Sequence, residues 1–342
     1  MTLAFAVTLH LVSLNDFFSP LTTAENMNRL ERQLIKAVSI DDKYLNEIAT
    51  HLIKAGGKRL RPALTLCTAS TTNRSISHET VMGAISVELV HLASLYHDDV
   101  MDEAIRRRNV ASVNALWGNH LAIVVGDYLL ARSAEIAASL GNEIASLIAA
   151  TLSRLCHGQV TEVRSSYDIK RTHEQYLESI GDKTAALIAT ACRIGGITAN
   201  LDSVQIEALT LYGENMGMVF QIRDDIFDII ATEDVLGKPP GQDLAEGVYT
   251  MPVCWALKDK NIGSELASLL GRPLNGEQLL QARQLVISSE ALDKTTATAK
   301  TYAERAKQAC EKLEGAEVAN TLITLVNNLL ADTEATHTAL AS

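Results

Sequence analysis

The chain has 342 residues, 47% of them hydrophobic, with 30 Lys and Arg against 41 Asp and Glu, a net charge of −11 and a pI near 5.3. That balance excludes a general nucleic-acid binder, which needs a basic face, but not local recognition of a small phosphorylated molecule. Cys67, Cys156, Cys192, Cys254 and Cys310 are odd in number and scattered through mostly apolar runs, which excludes a disulfide framework and a zinc site and fits buried thiols in a reducing compartment.

Met1–Leu14 is apolar but lacks a basic leader and is interrupted by His10. It is too short to span a bilayer and is expected to form an arm over residues 1–20, packed on the body or on a partner subunit. A single domain over 21–335 is expected to follow. Apolar residues recur every three to four positions and proline is rare, 6 in the chain, so the reading is all-α. Helices are expected at about 22–37, 43–54, 61–70, 78–100, 111–118, 120–138, 141–165, 173–193, 202–231, 249–258, 262–270, 274–288, 292–313 and 315–332. Gly56 and Gly57 end one helix and Pro62 suits the first turn of the next. Gly237–Gly247, GKPPGQDLAEG, is the least helical stretch of the second half. No later segment is a clean apolar span of about 18 residues.

The most demanding stretch is Leu89–Arg108, LVHLASLYHDDVMDEAIRRR. Asp98, Asp99 and Asp102 close an apolar helix, and like charges four apart on a helix repel. The pattern returns as DDIFD, with Asp224, Asp225 and Asp228, after a second apolar run. First and last aspartates of each motif share a helix face, about 6 Å apart along the axis. All-carboxylate ligation suits Mg²⁺ shared with substrate phosphates, whereas zinc would recruit His or Cys. One such motif could be a solvated helix end; two embedded in apolar helices fit that reading poorly. Lys58, Arg59 and Arg61 in GGKRLRP, Arg106–Arg108, Lys183 in GDKTAAL and Lys238 supply cations for diphosphate oxygens. There is no Walker-type nucleotide loop, serine elbow or Cys/His pair. His91, His97 and His157 lie on helical segments, where a lone histidine is usually structural.

These residues resemble the all-trans isoprenyl (polyprenyl) diphosphate synthases over roughly 25–330. The landmarks are GGKRLRP (56–62), HDDVMDEA with Arg107 and Arg108, GDYLLAR (126–132), GDKTA (181–185), FQIRDDIFD (220–228) and LGKPPGQDLAEG (236–247). The resemblance implies a single-domain helical fold around a deep cavity, usually in a homodimer. It implies condensation of isopentenyl diphosphate with an allylic diphosphate such as farnesyl or geranylgeranyl diphosphate.

Carried onto this chain, Asp98, Asp102 and Asp224 ligate a Mg²⁺ cluster, with Asp99, Asp225 and Asp228 as ligands or supports of ligands. Arg107, Lys183 and Lys238 hold the allylic diphosphate. Lys58, Arg61, His91 and Arg108 grip isopentenyl diphosphate. Thr184 and Gln221 line the reacting carbons. The resemblance further implies a dry apolar cavity, a carbocation-like allylic carbon, and proton loss to the released diphosphate.

In that family the tail grows beside the helix ahead of the first acidic motif. Here Ala93 and Ser94 are small, and Leu89 and Val90 follow one turn back. A helical turn is about 5.4 Å, near one isoprene unit, so a medium or long product of about C30–C50 is expected, of the kind used for quinone side chains. A bulky facing residue such as Phe220 or a leucine between 145 and 155 would close the tunnel earlier. Asn109 and Val248 stand where the family usually has glycine and lysine. A cyclase, a non-catalytic partner subunit or a helical scaffold would not need all six aspartates with Lys58 and Arg61. A cytoplasmic enzyme, peripheral to the membrane during product release, is expected.

Overall fold

The computed structural model describes residues 21–72, 75–231 and 240–341, with side chains as far as 333. The expected arm over 1–20 and the diphosphate contact at Lys238 lie outside the described residues.

The fold is all-α. The chain runs through α1 (Ala24–Val38), α2 (Lys43–Lys54), α3 (Leu60–Ala69) and α4 (His78–Met101). A two-residue antiparallel hairpin follows, β1 (Arg106–Arg107) with β2 (Val110–Ala111). Then come α5 (Val113–Trp117), α6 (Asn119–Ser139), α7 (Asn142–Arg164), α8 (His173–Ile180), α9 (Ala186–Thr198) and α10 (Ser203–Ile230). The last third is α11 (Gln242–Ala245), α12 (Met251–Ala256), α13 (Gly263–Leu269), α14 (Gly276–Ile287), α15 (Ala291–Cys310) and α16 (Ala316–Ala341).

Side-chain caps start many of these helices. Thr23, Asp42, Ser77 and Asp202 each accept a backbone N–H from the first turn that follows. Thr172 with Gln175 and Asn275 with Gln278 form full capping boxes.

Two long helices organise the body. α4 is apolar on nearly every face, as a fully surrounded helix must be, and packs on α3, α6 and α9. α10 packs on α9, α15 and α16. It approaches α9 at backbone distance: a Cβ on Gly213 or Gly217 would lie 2.6 Å from the Cα of Ala189 or Ala185.

The expected helix over 173–193 proves to be three pieces. α8 is followed by one π-helical turn, Gly181–Ala185, before α9 resumes and runs on to Thr198. Periodicity cannot show such a turn, because one inserted residue leaves the apolar pattern readable on both sides. Of the expected 237–247 loop, the described residues 240–247 contain the short α11, and the last helix extends past residue 332 to 341.

Candidate active site

α4 delivers the first acidic motif at its C-terminal end. Asp102 is the C-cap, its N–H donating to the Asp98 carbonyl at 2.8 Å. Asp98 is half-buried and Asp102 exposed, whereas Asp99 is fully buried. Burial, reinforced by Asp102 and Glu162 and opposed by Lys183 and Arg107, lifts the Asp98 pKa to about 6. Asp99 accepts both Nε and Nη2 of Arg107 at 2.7 Å. That pair folds the basic hairpin back over the motif. At its tip Arg108 and Asn109 both have positive φ, 52° and 63°, as a two-residue primed turn requires. Asparagine adopts that backbone readily, so the missing glycine at 109 changes little.

The second motif lies inside α10. Asp225 is buried and accepts hydrogen bonds from the Tyr176 hydroxyl and, at 2.7 Å, from Gln221 Nε2. Gln221 Oε1 in turn accepts from Thr184 Oγ1 at 2.8 Å. Burial raises the Asp225 pKa, against the pull of both donors. Asp228 receives the backbone N–H groups of Gln242 and Asp243 at 3.3 and 3.2 Å, so its carboxylate caps α11. Asp224 is 45% exposed and accepts from Arg223 Nη1 at 3.0 Å.

Lys183 and Thr184 are carried by the π turn, which α7 holds in place. Asp182 is fixed by Arg154 Nε and His157 Nδ1, each at 2.8 Å. Gly158 leaves room where a Cβ would lie 2.6 Å from the Lys183 nitrogen. One turn on, Glu162 binds Lys183 Nζ at 2.5 Å. Burial works against the ammonium, but Glu162, Asp98 and Asp102 outweigh it and hold the Lys183 pKa above the usual lysine value.

The result is one cavity of about 340 Å³ that Asp102, Arg107, Lys183, Thr184, Gln221 and Asp225 line together. Two acidic motifs far apart in the chain thus face a common space. Val248 also lines it, as does the buried Arg171, a cation the sequence gave no reason to single out. Arg171 donates to the Tyr249 carbonyl at 3.1 Å and stacks 5.5 Å from the Tyr176 ring.

A second cavity of about 280 Å³ gathers Lys58, Arg61, His91 and Arg108, with Phe220 and Arg223 from α10. Arg59 also lines it but is buried, with φ of 50°, and is taken up by Glu31, Glu88 and the Ile53 carbonyl. It pins the GGKRLRP loop so that its neighbours face the cavity. Arg108 lies across Gly57, where a Cβ would meet its guanidinium at 2.8 Å. Burial, then Arg61 and Arg108, hold the His91 pKa well below the ordinary value, so His91 is neutral at pH 7. Burial also lowers the Lys58 pKa, opposed by nearby Asp224. Phe220, the bulky residue of α10 singled out above, lines this cavity.

The four tail-side positions divide between two faces of α4. Leu89 and Ala93 pack in a cluster with α1, α2 and α6. Val87 and Val90 join Ile144, Ile148, Leu187, Ala191 and Ile194 between α7 and α9. Ser94, one turn above Val90, is half-buried and donates to the His91 carbonyl at 2.9 Å. Ala93 and Ser94 therefore meet different neighbours, because adjacent helical residues point about 100° apart.

The donor set was tested for a divalent cation. Only carboxylates face the larger cavity as anionic ligands, and Asp99 Oδ2 is buried with no hydrogen-bond partner. Among the described residues no three acidic, His or Cys side chains are close enough to hold a metal by themselves. The carboxylates of Asp102 and Asp225 at this cavity suit Mg²⁺, whose remaining positions water and phosphate oxygens would fill.

A cavity lined by both carboxylates and cations beside a cationic one, in an all-α body, suits substrates that carry diphosphates. The polyprenyl synthetase family matches residues 42–286, and the chain belongs to that family: it is a prenyltransferase. It is 37% identical to the nonaprenyl diphosphate synthase of Mycobacterium tuberculosis, over 86% of this chain and 89% of the relative. It is 35% identical to heptaprenyl diphosphate synthase component 2 of Geobacillus stearothermophilus, over 83% and 88%. The crystal structure of a Caulobacter crescentus polyprenyl synthase, complexed with calcium and isoprenyl diphosphate, superposes with a TM-score of 0.86 at 32% identity, covering 92% of this chain and 97% of that one.

Proposed function

We propose that the chain condenses isopentenyl diphosphate with an allylic diphosphate, farnesyl or geranylgeranyl, and repeats the step to an all-trans product of about C30–C50 for quinone side chains. One observation carries this reading: Asp102 of the first motif and Asp225 of the second line the same cavity as Lys183, Thr184 and Gln221. The names of the nonaprenyl and heptaprenyl relatives support the length.

In this reading Asp98, Asp102 and Asp224 hold Mg²⁺, about three ions with substrate bound. Asp99, Asp225 and Asp228 support them through Arg107, through Tyr176 and Gln221, and through α11. Bound Mg²⁺ supplies Lewis-acid stabilisation of the departing diphosphate. Arg107 and Lys183 orient the allylic diphosphate, and Lys183 exchanges Glu162 for a phosphate oxygen. Lys238 belongs to the same group by sequence. Lys58, Arg61, His91 and Arg108 hold isopentenyl diphosphate; a neutral His91 donates one hydrogen bond without adding charge. Thr184 and Gln221 flank the reacting carbons. The apolar cluster of Val87 and Val90 with α7 and α9 keeps water from the growing tail.

The domain is taken as 21–335, working as a homodimer in the cytoplasm and touching the membrane while product leaves. No helix among the described residues is long and apolar enough to cross a membrane. A second reading is favoured by the relative named as component 2 of a heptaprenyl synthase: the chain needs another subunit to reach full length. Incubating the purified chain with farnesyl diphosphate, labelled isopentenyl diphosphate and Mg²⁺, and reading product mass, tests both. Elongation past C20 by the chain alone is expected. No elongation even with added membranes, or arrest at C15–C20, refutes the single-chain reading.

A further inference from the structure

One buried ion cluster ties the second acidic motif to the last helix, and nothing above uses it. Arg223, beside Asp224 in α10, is only 5% exposed, and a guanidinium at that depth must be paired. Its Nη2 and Nε donate to Asp332 Oδ2 at 2.9 and 3.2 Å. Its Nη1 donates to Asp224 Oδ1 at 3.0 Å, and its carbon centre lies 4.4 Å over the Phe227 ring. Asp332 is 1% exposed on α16, the helix whose Leu325 and Leu329 wall the basic cavity. Lys58, which lines the same cavity, feels the charges of Asp224, Arg223 and Asp332 alike.

One guanidinium is therefore shared between two carboxylates of unequal standing. Asp332 is enclosed and has no route to a ligand. Asp224 is more open, with 45% of its side chain exposed. Without Asp332, Arg223 would pair more fully with Asp224 and would compete more strongly with any divalent cation approaching that carboxylate. With two of its hydrogen bonds held by Asp332, that competition is reduced.

We propose that Asp332 is a positioning residue of the active site, which draws the charge of Arg223 away from Asp224 and so leaves Asp224 available to a divalent cation bridging to substrate diphosphate. This rests on the reading of Asp224 as a cation ligand. It makes α16 an electrostatic part of the site as well as a wall. It also gives opposite signs to the two partners of one ion pair: losing Asp332 weakens cation binding, and losing Arg223 does not.

The test is Mn²⁺ binding to the full chain in the presence of methylenediphosphonate, followed by electron paramagnetic resonance. Asp332→Asn should weaken Mn²⁺ binding by about tenfold, the scale of one charge-assisted hydrogen bond redirected onto Asp224. Arg223→Gln, and the double variant Asp332→Asn with Arg223→Gln, should bind at least as tightly as wild type. A simple tether between α10 and α16 would weaken binding alike in both single variants and in the double, and that result overturns the proposal. Wild-type affinity in Asp332→Asn overturns it too. If Asp332→Asn does not fold, the other two variants still decide, since weaker binding in either contradicts the proposal. Wild-type protein that binds no Mn²⁺ with the diphosphonate would instead remove the cation reading of Asp224 itself.

Discussion

The two acidic motifs share one spacing and differ in almost everything else. The first ends its helix, so Asp102 is exposed and Asp98 half-buried, and only Asp99 is enclosed, against Arg107. The second lies within the last turns of α10, where Asp225 and Asp228 are both buried and tied to Tyr176, Gln221 and the start of α11. The first motif is therefore mainly an open jaw, and the second is mainly an anchorage with Asp224 at its edge. A repeated sequence need not mean repeated roles: the helix end sets how many of three carboxylates can reach a ligand.

The sharpest break of this contrast is Asp98→Ala. Turnover should fall by about a thousandfold, the scale of losing a preorganised transition-state contact, with circular dichroism unchanged. Retained activity would remove Asp98 from the cation site.

The helices leading to the two motifs should differ in product control. Ser94→Phe places a ring one turn above Val90, on the face toward α7 and α9, and should shorten the product by one or more isoprene units, read by mass. Ala93→Phe should mainly overpack the cluster with α1 and α2, at a cost of about 1–3 kcal/mol in denaturant unfolding. Equal shortening by both would merge the two faces.

At the second motif, Asp228→Ala removes the cap of α11 and should cost about 1 kcal/mol of stability, with turnover reduced far less than in Asp98→Ala. A loss as large as that of Asp98→Ala would make Asp228 a direct ligand after all.

The smallest effect concerns pH. The Asp98 pKa is raised from 3.8 to about 6. Between those values the folded state keeps a proton that the unfolded state has lost, so metal-free stability falls as pH rises through that window and the penalty persists above it. Asp98→Asn should therefore raise the metal-free melting temperature at pH 8, and the gain should vanish at pH 3. Identical gains at both would mean that burial of Asp98 is not the cause.

Most of the helices and the composition of both cavities were legible in the residues. Apolar periodicity locates helices because burial selects one face, and two DDxxD runs beside cations concentrate like charge that a bound cation would relieve. Arg171, Glu162, Tyr176 and Asp332 were not legible. Each is an ordinary polar residue in its own segment, and each gains meaning only from a partner far along the chain: Tyr249, Lys183, Asp225 and Arg223 respectively. The π turn was hidden for a related reason, since it lies against Gly158 of another helix, a neighbour that local periodicity does not report.

The sequence by itself determined the helical class, the six aspartates and the cations of the GGKRLRP and RRR runs, because these follow from local periodicity and charge. Only the tertiary structure decided which aspartates face the cavity, which basic residue is a strut and which a candidate ligand, and which side of α4 meets α7 and α9. Those choices depend on burial and on long-range pairing. A helix rotates each successive side chain by about 100°, so neighbours in the chain are assigned to different surroundings only when the helices pack.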